Sequence, residues 1–120
     1  MRLLDLDPRW LVRDGVRLGF VFRCPVRGHK GHWLSCFFAP TPEDDQEALI
    51  TAELGEDAMC AQCNEGHGWK TAPEGTQANA DFATLSITPS INGGELPYGW
   101  HGHITGGAIV GGLPAPGKSA

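Results

Sequence analysis

Two sulfurs and two imidazoles fall within thirteen residues in Cys24-Pro25-Val26-Arg27-Gly28-His29-Lys30-Gly31-His32-Trp33-Leu34-Ser35-Cys36. Thiolate and imidazole are the donors that zinc prefers, and a zinc site takes three or four of them from the protein. Gly28 and Gly31 leave the connecting turn free to curl both histidines around an ion that Cys24 also reaches. This stretch reads as half of a metal site. Two later stretches offer the other half, Cys60-Ala61-Gln62-Cys63 and Trp100-His101-Gly102-His103. The C-x₂-C spacing lets two thiolates chelate one ion from a single turn. On an extended strand His101 and His103 share one face, because side chains alternate with period two. The candidate zinc ligands are therefore Cys24, His29, His32, Cys60, Cys63 and His101. Two arrangements compete: Cys24 and His29 or His32 with His101, and Cys24 with Cys60 and Cys63. They can also merge into one site.

Several of these residues have a plainer reading. Cys36 shares a strand face with Leu34 and Phe38, where a thiol packs as a small hydrophobe. His67 stands between two glycines and reads as exposed. A thioredoxin-like redox role for Cys60 and Cys63 would need a βαβ pattern around them, and none surrounds them.

The elements that must position these groups are short. Gly 17 and Pro 9 in 120 residues predict many turns and brief strands. Pro8 argues against a continuous helix near the N-terminus, so an extended arm is expected that packs Leu6, Trp10 and Leu11. Asp14-Gly15 predicts a hairpin from Trp10–Val12 into a strand over Val16–Arg23, with Val16, Leu18, Phe20 and Phe22 on one face and Val21 opposite. A second strand follows over His32–Phe38, with Trp33, Ser35 and Phe37 on its other face. Thr41 to Gly55 predicts one surface helix, with Thr41 as N-cap, Pro42 at the first helical position and acids against the dipole. Phe82–Ile87 alternates as a half-buried strand, and Tyr98–Val110 as a final hairpin that turns at Thr105-Gly106-Gly107. The expected fold is β-rich α+β, a small antiparallel sheet or sandwich with one surface helix and a zinc site. It occupies residues 1–112 as a single domain, with a flexible tail over 113–120.

The formal charge of −5 is unevenly spread. Residues 1–40 carry +4, residues 41–70 carry −7 and the remainder −2. No basic stripe with interleaved aromatics marks a nucleic-acid binder, and of the four tryptophans only Trp10 has flanking arginines, Arg9 and Arg13. No apolar run is long enough for a membrane span, and the N-terminus lacks the apolar segment of a signal peptide. A cytoplasmic location is expected, where cysteines bind metal more readily than they form disulfides.

The order Leu6-Asp7-Pro8-Arg9-Trp10, Phe22-Arg23-Cys24-Pro25, Leu85-Ser86-Ile87-Thr88-Pro89-Ser90-Ile91 and Trp100-His101-Gly102-His103-Ile104-Thr105-Gly106-Gly107 resembles a family of small uncharacterised phage and bacterial zinc-binding proteins. The resemblance runs from about residue 3 to residue 110. It implies a mostly β zinc-binding domain, often encoded in phage or prophage, in which Cys24 matches the first ligand and His101 the last. His29 or His32 stands where the family places a second cysteine or a histidine. The chain departs from the pattern at Tyr98-Gly99-Trp100, where a cysteine commonly precedes the final histidine.

The expected function is a zinc-binding, non-enzymatic protein-interaction module, a phage or prophage accessory or anti-defence protein whose acidic helix meets a protein partner. A closed four-ligand site has no position for substrate, and small domains often need such a staple. The alternative is a small metal-dependent hydrolase with an open zinc position and Glu65 or Glu95 as general base. No His-Glu-x-x-His pairing supports it.

Overall fold

The structure is a computed structural model and describes residues 1–25, 32–39, 41–56, 59–62, 69–71, 75–88, 90–92 and 100–111. It is a small β-rich arrangement with one α-helix among the described residues. Strands β1 (Arg9–Arg13), β2 (Val16–Arg23), β3 (His32–Phe37) and β4 (Met59–Gln62) form one sheet in that order. Its pairings are antiparallel except for β3 with β4, which run parallel. The helix α1 (Glu43–Leu54) makes the crossover between these two strands, as a parallel pair requires. Two smaller antiparallel sheets pair β5 (Lys70–Thr71) with β6 (Ile87–Thr88), and β7 (Ile91–Asn92) with β8 (His101–Thr105) and β9 (Ala108–Val110).

The first hairpin forms where Asp14-Gly15 predicts it. Both residues take positive φ, 52° and 77°, the geometry whose twist matches that of the flanking strands. Gly106 and Gly107 do the same between β8 and β9, at 57° and 77°. The N-terminal arm is less extended than expected. Leu3–Leu6 closes a short 3₁₀ turn and buries Leu3 and Leu6. The Leu3 amide donates to the Gly107 carbonyl at 2.8 Å, and the Ile109 amide to the Met1 carbonyl at 2.9 Å, which ties the arm to β9.

The four-stranded sheet is covered on both faces. On one, Phe20, Phe22, Leu34 and Cys36 join Leu3, Leu6, Trp69, Leu85, Ile87, Ile91, Trp100, Ile104 and Ile109 in the larger core. On the other, Leu11, Val21, Trp33 and Phe37 meet Leu49 of α1 in a smaller one. The alternation predicted for β3 is therefore observed. In β2 it is interrupted: Leu11 pairs with Gly19 but Val12 with Arg17, so Leu18 is an extra residue. Such a bulge reverses the alternation beyond it, and Leu18 packs with Val21 rather than with Phe20.

Two further differences have local causes. Helix α1 begins one residue later than predicted, with Pro42 as N-cap. Thr41 instead turns its hydroxyl to the Ala39 carbonyl at 3.0 Å, while the buried Gln46 amide donates to the Thr41 carbonyl at 2.7 Å. The strand predicted over Phe82–Ile87 is confined to Ile87–Thr88. Asp81 captures the segment before it, its Oδ1 accepting the Ala83 amide at 2.8 Å and its carbonyl the Thr84 amide at 3.0 Å. A side chain that satisfies nearby backbone donors in this way competes with a ladder.

Candidate functional site

Cys24 is the first residue beyond β2 and His32 the first residue of β3. The last ladder pair of that hairpin is Arg23 with Trp33, so continuing the backbone register takes Cys24 and His32 into the next row. The adjoining strand runs parallel to β3 and aligns Cys60 with Trp33, one row further in. Three sequence-predicted residues thus belong, by backbone register, to one end of the four-stranded sheet. Cys60 lies within β4, not in a turn. His29 and Cys63 lie outside the described residues, as do His67, Glu65, Glu95 and the tail 113–120.

The Cys24 thiol is buried, 8% exposed, and belongs to the larger core, as does Cys36. Neither forms a disulfide. His101 and His103 share the exposed face of β8, while Gly102 and Ile104 between and beyond them are buried, as the strand periodicity predicts. His101 Nε2 lies 3.3 Å from Ser90 Oγ. Cys24 faces the core and His101 faces outward, so these two supposed ends of the ligand series are not brought together. Among the described residues no three His, Cys, Asp or Glu side chains gather as a metal site.

The tryptophans are used in packing. Trp33, Trp69 and Trp100 are at most 6% exposed. Trp10 stacks on Phe82 at 4.2 Å and carries the Arg17 guanidinium at 4.1 Å from its centroid. Arg9 and Arg23 lie over Trp33 at 5.4 and 4.5 Å. Indoles occupied in this way are not the open platforms on which bases stack. The Arg9 guanidinium is held above its ordinary pKa chiefly by its hydrogen bond to Asp7, at 2.9 Å.

One concavity escaped the sequence reading. It lies between residues 76–81 and 84–86, has a volume of about 210 Å³, and its lining is divided evenly between apolar surface and the hydroxyl, amide and carboxylate groups of residues such as Asn79, Asp81 and Ser86. Its polar residues come from Thr71 on β5 and from turns whose sequence gives no spacing motif, so only the folded chain collects them. No described helix is long and apolar enough to cross a membrane. Comparison with known proteins finds no matching family model, no similar curated protein and no similar solved structure.

Proposed function

We propose that this chain is a zinc-binding, non-enzymatic protein-interaction module. The observation that supports the reading is the register of the β2–β3 hairpin, whose last pair, Arg23 with Trp33, adjoins Cys24 on one strand and His32 on the other. His29 in the same connection and Cys63 after the adjoining strand supply the further donors; Cys60 is less well supported, being in register with Trp33, which packs in the smaller core, whereas Cys24 belongs to the larger one. His101, exposed and beside Ser90, is the least supported member of the set. A zinc ion closed by such donors would staple the strand ends together.

The partner surface is α1. Glu43, Asp44, Glu47 and Glu53 are exposed along it, and only its opposite side, through Leu49 and Gln46, is buried. An acidic helix of this kind fits a basic protein surface. The resemblance supplies the setting, an accessory or anti-defence protein of phage or prophage origin. Cys24→Ser tests the metal reading. Zinc content by elemental analysis and thermal stability should fall together, whereas Cys36→Ser should lower stability and leave the zinc content unchanged. Unaltered zinc and stability in Cys24→Ser would remove Cys24 from the site.

A further inference from the structure

The cleft between residues 76–81 and 84–86 is anchored by hydrogen bonds from the four-stranded sheet and from the β8–β9 turn. On one wall, Arg17 of β2 stacks on Trp10 and donates to the Ala80 carbonyl at 2.7 Å. On the other, the Gly106 amide donates to Ser86 Oγ at 2.6 Å and the Gly107 amide to the Leu85 carbonyl at 2.8 Å. Both walls are thus anchored before any ligand arrives. Such preorganisation removes an ordering cost from binding.

The groups left for a ligand define its chemistry. Asp81 uses Oδ1 for the Ala83 amide, and its Oδ2 has no hydrogen-bond partner among the described residues. The exposed Asn79 side chain has none either. Ser86 Oγ accepts from Gly106, which leaves its proton to donate. The cleft therefore offers a carboxylate acceptor, an amide with donors and acceptor, and a hydroxyl donor. Among the described lining residues Asp81 is the only charged one, and its carboxylate repels an anion. An apolar ligand would strand these groups unpaired.

The geometry points to a neutral polyhydroxylated ligand of monosaccharide size as the occupant of this cleft. Each sugar hydroxyl both donates and accepts, and so can satisfy Asp81 and Asn79 together. Leu85 and Ala80 line the same space and provide an apolar contact for the ring C–H groups. The volume of about 210 Å³ lies below the ~300–1,000 Å³ of sites for drug-sized molecules and suits a single ring. The site is independent of the metal.

The test is titration of the ¹⁵N-labelled full chain, followed by amide shifts, with D-glucose, D-galactose, D-mannose and N-acetyl-D-glucosamine as probes. At least one sugar should give saturable shifts at Thr76, Asn79, Asp81 and Thr84. Asn79→Ala and Asp81→Asn should each weaken that binding about tenfold, the loss expected for a hydrogen bond to a polar or charged group. Asp81→Asn keeps an oxygen for the Ala83 amide, so the wall stays folded. The exposed variant Glu53→Gln on α1 should bind as the natural chain does. Three results would overturn the assignment: no saturable shift with any of the four sugars, affinity unchanged in both cleft variants, or shifts at these amides with ethylammonium or magnesium chloride but not with sugar.

Discussion

Gly102 shows how one residue decides a feature that its neighbours advertise differently. His101-Gly102-His103 reads as two imidazoles separated by the smallest spacer, yet the glycine is required by packing. A Cβ at Gly102 would collide with the Trp100 ring and with the Val110 carbonyl. Trp100 cannot yield: it is fully buried, meets Phe22 edge-to-face at 6.1 Å, and donates from its indole to the Gly111 carbonyl at 2.9 Å. Overpacking of this kind costs about 1–3 kcal/mol. Gly102→Ala should lower the free energy of unfolding in urea by that amount, and a loss below about 0.5 kcal/mol, the scale of an ordinary surface change, would mean that Trp100 has room to move. The cysteines divide in a similar way. Cys36 was legible as a packed hydrophobe from its alternation with Leu34 and Phe38, and its complete burial in the larger core agrees.

At the scale of elements, α1 is held by few apolar side chains. Leu49 reaches the smaller core, with Ile50 and Leu54 packed at its margin, and the remaining surface is polar or small. Leu49→Ala should therefore destabilise by about 2–4 kcal/mol, within the range for truncating a buried leucine. Ala52→Gln, on the exposed side, should change stability by less than about 0.5 kcal/mol. Equal losses in thermal or urea unfolding would contradict this orientation of the helix. The existence of α1 was readable because acids, a proline and a terminal glycine mark its ends. Its first residue was not, because Thr41 has two hydrogen-bonding choices and takes the Ala39 carbonyl. Likewise the limits of β2 followed from Asp14-Gly15 and Cys24-Pro25. Its faces did not, because the bulge at Leu18 depends on a partner strand that periodicity within β2 cannot see.

For the whole molecule, the proposed zinc couples distant segments of the chain, and its removal should be felt globally. Metal that binds only the folded state stabilises it by mass action. Protein purified without added metal should contain one zinc per chain, and chelation should lower the melting temperature and expose thiols that were unreactive before. Absence of zinc together with four thiols that react freely from the start would dispose of the metal reading, leaving the fold as described. The sugar titration would stand unaffected, since the cleft walls rest on Arg17, Gly106 and Gly107.

Local chemistry in the sequence by itself determined the two tight turns, the helix that joins β3 to β4, and the two-residue periodicity of β3 and β8. Each of these depends on residues within a few positions of one another, where φ preferences, caps and alternation act. The tertiary structure alone decided the rest. It placed the sheet between two cores, put Cys24 inside and His101 outside, and drew Thr71, Asn79, Asp81 and Ser86 around one cleft. Those outcomes depend on which surfaces meet, through strand register, a bulge and the burial of Trp100, and contacts between segments far apart in the chain leave no spacing for the sequence to display.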